Sequence, residues 1–110
     1  AGMDNLIRPA LYDAWHEIKP IMDNKEQNIL CDIVGPACEC TDFLGKDRRL
    51  SVQQGDLLII SSCGAYASSM ASNYNSRPKP SEIMIKNGEM HMISRKEKIN
   101  DLFSREIIIS

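Results

Sequence analysis

A chain of 110 residues with 43% hydrophobic and 25% charged side chains is one soluble globular domain at most, with room for a single modest core. Its 13 basic and 15 acidic residues are scattered and leave a net charge of −2, which excludes any long-range pull towards nucleic acid or an anionic membrane. No run approaches the roughly 18 consecutive apolar residues that span a bilayer, and no basic-then-apolar signal layout opens the chain, so a cytoplasmic location is expected.

Arg8-Pro9 opens a short helical turn within Ile7 to Ala14, because Pro is tolerated at the first helical position. Trp15 to Ile21 alternates large apolar with polar residues, the period of a half-buried strand, and Pro20 confines its far end to an edge or bend. Asp23-Asn24-Lys25 reads as a polar turn. Asn28 to Val34 is β-branched and apolar enough for a strand, which Gly35-Pro36 stops, and Ala37 to Asp42 therefore falls on a loop. After the turn signal Gln54-Gly55-Asp56, the Leu57-Leu58-Ile59-Ile60 run within Asp56 to Ser62 suits a strand buried on both faces.

Two alternating arms flank Asn87-Gly88 over Ile83 to Ile93, and Asn and Gly tolerate positive φ, so a hairpin is expected there. Ile99, Leu102 and Phe103 have the spacing of a short closing amphipathic helix over Ile99 to Arg105. The sum is a mainly β fold, a small β-barrel or sandwich with short helices, and such a fold names no function.

Cys31, Cys38, Cys40 and Cys63 form a single C-x-C followed by a distant cysteine, which is not zinc-site spacing; four free thiols and no metal are expected. His16 and His91 have no ligand partner at useful spacing and are read as structural.

Six ordered segments then carry a family likeness. They are Gly2 to Tyr12 (Gly-Met-Asp-Asn-Leu-Ile-Arg-Pro-Ala-Leu-Tyr), Val34-Gly35-Pro36-Ala37-Cys38-Glu39, Asp42-Phe43-Leu44, Gly55-Asp56-Leu57-Leu58, Gly64-Ala65-Tyr66, and Met70 to Pro78 (Met-Ala-Ser-Asn-Tyr-Asn-Ser-Arg-Pro). Together the chain resembles the C-terminal β domain of the diaminopimelate decarboxylase family, pyridoxal 5'-phosphate enzymes of the alanine-racemase-like class. The resemblance implies that residues 1–110 are one C-terminal domain, and that a TIM-like barrel holding the cofactor on a lysine lies outside this stretch. It also implies a homodimer with a shared active site and a small amino-acid substrate. The isolated chain is then expected to be inactive, since none of its lysines sits in a corresponding motif.

The resemblance gives Cys38 the role of proton donor to Cα after decarboxylation. A thiol with a pKa of about 8.5 is protonated at neutral pH yet acidic enough to donate. The neighbouring Glu39 and Asp42 would favour the neutral thiol. Glu39 binds the substrate's distal ammonium in this reading, which requires the backbone to turn, since adjacent strand residues face opposite ways. Arg8 and Tyr12, four apart on one helical face, contact the distal carboxylate, and Tyr66 contacts both cofactor and substrate. Without the likeness, Cys38 is a small buried hydrophobe, Glu39 a solvated carboxylate, Arg8 a salt-bridge partner, and Tyr12 and Tyr66 packing aromatics. Two departures from the family pattern stand out: Cys40-Thr41, where Ser-Gly or Thr-Gly is common, removes positive-φ freedom, and Ala67-Ser68 replaces a frequent Gly-Phe. Cys40 adds a second thiol beside the donor.

Alternatives remain a sister decarboxylase of ornithine, arginine or carboxynorspermidine, and a non-catalytic β module for dimer contact or regulation. Arg8 separates the first of these, because a distal carboxylate calls for a guanidinium and a simple diamine precursor does not.

Overall fold

In the computed structural model, residues 1–22 and 28–109 are described, and the expected Asp23-Asn24-Lys25 turn lies outside them. The chain forms two compact units, Ala1–Ala71 and a second from Ser72 onward. The first holds α1 (Arg8–Tyr12), β1 (Ile18–Pro20), β2 (Asn28–Val34), β3 (Phe43–Ser51), β4 (Leu58–Ile60) and α2 (Ala67–Met70). The second holds a 3-10 turn (Tyr74–Ser76), β5 (Glu82–Lys86), β6 (Glu89–Ser94) and α3 (Ile99–Leu102). The mainly β expectation stands. Among the described residues the strands pair as three antiparallel two-stranded ladders, β1 with β4, β2 with β3 and β5 with β6.

The hairpin forms where the Asn87-Gly88 signal put it, with Lys86 opposite Glu89. Asn87 at φ 53° and Gly88 at φ 80° both occupy the left-handed region, as the twist of a two-residue type I′ turn requires. The helix α1 begins at Arg8 with Pro in its first turn, β2 spans Asn28–Val34, and α3 is a single turn that ends at Leu102.

Three elements differ from the sequence reading. β3, at nine residues, has no apolar alternation to announce it, because Lys46-Asp47-Arg48-Arg49 carries charge through its centre. Asp47 takes a positive φ there and its backbone N–H bonds Asp32 Oδ1 at 2.8 Å, while the β2–β3 register shifts on either side of Ile33. β1 is also shorter than the expected Trp15–Ile21 strand, covering Ile18–Pro20 alone. His16 and Ile18 are buried, and Trp15 is 70% exposed with Arg48 stacked 4.6 Å from its ring centre. Finally, β4 is not buried on both faces. It is only three residues long, pairs with β1 alone among the described residues, and leaves Leu57 69% exposed and Ile59 half exposed.

Among the described residues the apolar core of the first unit is small: Leu6, Ile18, Leu44 and Leu50 are its buried hydrophobic residues. Three polar residues, Asp4, His16 and Asp42, are equally deep. Burying so many polar groups in so small a core is tolerable only if they are hydrogen-bonded, and their partners decide where the loops go.

Candidate functional site

Pro9 fixes the backbone of α1, the Leu11 N–H bonds the Ile7 carbonyl at 2.9 Å, and the helix stops when Asp13 turns left-handed at φ 52°. One turn therefore sets Arg8 beside Tyr12, with the guanidinium carbon 5.5 Å from the Tyr12 ring centre. Tyr66 reaches the same guanidinium from the opposite end of the unit, at 4.8 Å. It is delivered by Ser62, which turns left-handed after β4, and by the Cys63–Ala67 turn that leads into α2. Three of the five expected site residues thus meet in one cation–π cluster whose two phenols are exposed. Stacking engages the guanidinium face, and the N–H fork at its edge is the part that grips a carboxylate or phosphate.

Cys38 and Glu39 ride a separate loop between β2 and β3, and both are exposed. Backbone bonds close this loop: the Asp42 N–H bonds the Glu39 carbonyl at 3.0 Å, and the Gly35 N–H bonds the Asp42 carbonyl at 2.8 Å. That turn needs no left-handed residue, since neither Cys40 nor Thr41 has a positive φ, and so a glycine at position 41 is dispensable. All four cysteines are free thiols.

The structural part that sequence reasoning missed belongs to Asp42. Its carboxylate is buried and accepts the Met3 N–H on Oδ1 at 2.6 Å and the Ala37 N–H on Oδ2 at 2.7 Å. Gly2 and Gly35 make room for it: a Cβ at Gly35 would overlap both carboxylate oxygens, and one at Gly2 would sit 2.8 Å from Oδ1. Two glycines and an aspartate far apart in sequence carry no local pattern that would reveal this.

Cys63 and His16 form a second polar pair away from the loop. His16 Nδ1 lies 3.1 Å from the Ser61 carbonyl and 3.7 Å from Cys63 Sγ, and burial pushes the Cys63 thiol pKa up. The His91 ring lies 3.9 Å from the Glu89 carboxylate on an exposed strand. No group of three or more His, Cys, Asp or Glu among the described residues could hold a metal, and no helix among them is long and apolar enough to cross a membrane.

Residues 1–64 match the model of the pyridoxal-dependent decarboxylase family's C-terminal sheet domain. The diaminopimelate decarboxylase of Vibrio cholerae is 44% identical over 109 residues, which is 99% of this chain and 26% of that protein. That of Neisseria meningitidis serogroup B is 45% identical over 107 residues, 97% of this chain and 26% of that protein. Among solved structures, the diaminopimelate decarboxylase of M. jannaschii in complex with L-lysine superposes with a TM-score of 0.92 at 37% identity, over 99% of this chain and 25% of that one. The Helicobacter pylori enzyme with L-lysine gives 0.86 at 42% identity, over 94% of this chain and 26% of that one. The chain spans about a quarter of the length of the relatives it matches.

Proposed function

The chain belongs to the pyridoxal-dependent decarboxylases, matching their C-terminal sheet domain, and from that premise we propose that it serves a diaminopimelate decarboxylase, converting meso-2,6-diaminopimelate to L-lysine and carbon dioxide in the cytoplasm. Residues 1–110 form the C-terminal domain, and a barrel outside this stretch holds the cofactor lysine. A second copy of the subunit completes the site. The observation that carries the reading is the meeting of Arg8, Tyr12 and Tyr66 in one exposed cluster, since a substrate with a second amino-acid head needs an anion grip remote from the reacting carbon.

The residues suit the cofactor as well as the substrate. Tyr66 is an exposed phenol stacked on a guanidinium, a donor pair matched to phosphate or carboxylate oxygens. Pyridoxal phosphate, when bound, supplies the electron sink for the pair released as the carboxylate leaves. This chain's residues do the rest. Arg8 and Tyr12 hold the distal carboxylate and Glu39 the distal ammonium, so that the substrate is fixed by its unreactive end. Cys38 delivers a proton from Sγ to Cα, where the new C–H bond replaces the C–C bond to carbon dioxide, and the thiolate regains its proton from water. The large apolar surface left open on β4 fits a domain that packs against another in the intact subunit.

The test is carbon dioxide release by the intact enzyme. Cys38→Ser should lower kcat at least 100-fold, the scale of a lost general acid, and Arg8→Lys should raise KM for diaminopimelate at least tenfold by losing the bidentate grip. Undiminished kcat in Cys38→Ser, or a preference for ornithine over diaminopimelate in the parent enzyme, would overturn the proposal.

A further inference from the structure

The Cys38–Glu39 loop and the segment that leads into the Arg8 helix come from different parts of the chain, and one buried group holds both. Met3 lies in the tight turn at the start of the chain, where the Asn5 and Leu6 N–H groups both bond the Gly2 carbonyl at 2.9 and 3.1 Å. Leu6 then anchors in the core just ahead of α1. Ala37 is the immediate neighbour of Cys38. The Asp42 carboxylate spans these two stretches, one oxygen to each backbone N–H, while its own N–H and carbonyl close the loop on Glu39 and Gly35. The Thr41 hydroxyl, at 3.6 Å from the Met3 sulfur, adds a weaker contact across the same seam.

We infer that Asp42 is a positioning residue: its carboxylate fastens the loop bearing the proton donor to the segment bearing the substrate-gripping arginine, so that one group sets the spacing of two functions. This rests on the roles proposed for Cys38 and Arg8. Oxygen count makes the carboxylate necessary. A carboxylate offers acceptors on both oxygens, whereas an amide of the same shape presents one oxygen and one NH2. In an Asp42→Asn protein, either the Met3 N–H or the Ala37 N–H must face a donor in a buried place, and one of the two stretches lets go.

The experiment uses the intact enzyme with Asp42→Asn, Cys38→Ser and the double variant. Asp42→Asn should raise KM for diaminopimelate and lower kcat, with kcat/KM down at least tenfold. The Cys38→Ser penalty should shrink at least tenfold when Asn already stands at 42, because the donor is displaced before it is removed. Peptide-resolved amide exchange should quicken in at least one of residues 1–7 and 35–41 while the β2–β3 ladder, at residues 28–31 and 48–51, keeps its protection. Equal Cys38→Ser penalties in both backgrounds, or unchanged exchange at both stretches, would overturn the inference. If Cys38→Ser alone costs nothing, the proposed chemistry fails, and amide exchange still decides whether Asp42 fastens the two stretches. If Asp42→Asn does not fold, Gly2→Ala, which crowds Oδ1 from the other side, takes its place with the same expected exchange pattern and the same overturning result.

Discussion

Each of the two units is tied by a carboxylate that collects donors from distant residues, but the two ties are built differently. In the first unit, Asp42 is 3% exposed, spends one oxygen on each of two backbone N–H groups, and sits where Gly2 and Gly35 leave a space no other residue would leave. In the second, Glu97 is half-buried and uses one oxygen for both the Lys79 N–H at 2.8 Å and the Asn73 side-chain amide at 2.6 Å. Those bonds, the Lys79 N–H first, hold the Glu97 carboxyl below the usual carboxylate range. The tie closes the stretch containing the Tyr74–Ser76 turn, in which Asn75 and Ser76 are both left-handed. The number of oxygens engaged, and the room carved for them, decide whether the charge is replaceable. A two-oxygen buried tie needs the carboxylate; a one-oxygen tie near solvent needs only an acceptor.

The contrast can be broken most directly at Gly35. Gly35→Ala should destabilise the first unit by about 2–3 kcal/mol, the scale of overpacking a closed site, read as a lower urea midpoint; an unchanged midpoint would mean that the space around Asp42 is not closed. In the second unit the costliest backbone position is the hairpin turn. Gly88→Val should cost about 1–2 kcal/mol, because a β-branched side chain resists φ near +80°, while Asn87→Gly should be nearly neutral in the same unfolding measurement.

Arg95 grips Asp101 with two hydrogen bonds at 2.6 and 3.1 Å, and the Lys98 N–H adds a third, which holds the Asp101 carboxyl down to about 2. A carboxyl whose pKa is lower folded than unfolded adds stability at pH above its ordinary value near 4, and that contribution fades as pH falls through about 2. Carboxyl carbon shifts should therefore place the Asp101 midpoint near 2; a midpoint near 4 would remove the pair from the account. Smallest of all is Glu97→Gln, whose carbonyl oxygen can accept both existing bonds. It should lower the urea midpoint only slightly, by the lost charge, and leave the Lys79 amide protected from exchange, in contrast to Asp42→Asn.

Much of the second unit was legible in the sequence because its signals are local. Asn87-Gly88 names a turn type by the φ values it tolerates, and the arms on either side alternate in step with it. The same holds for α1, where Pro9 starts the helix, and for β2, where Gly35-Pro36 ends the strand. β3 was hidden because its pairing comes from β2, while its own centre is charged. The length and exposure of β4 were misread because a run of Leu and Ile is apolar wherever it lies, and only its neighbours decide what covers it. Of the expected site residues, Arg8 and Tyr12 could be paired by helical spacing alone, whereas Tyr66 joins them only through the fold.

Residue order alone carries the local grammar: which stretches turn, where helices start, which cysteine stands beside a carboxylate, and which ordered motifs bear the family likeness. Chain closure alone brings the Asp42 carboxylate to the Met3 and Ala37 N–H groups, buries His16 in place of Trp15, and sets the Arg8 guanidinium against both Tyr12 and Tyr66. The physical reason is range. Backbone preferences act over a few residues and can be read in order, but hydrogen bonds to a buried oxygen and stacking on a guanidinium join residues that meet only once the chain has closed.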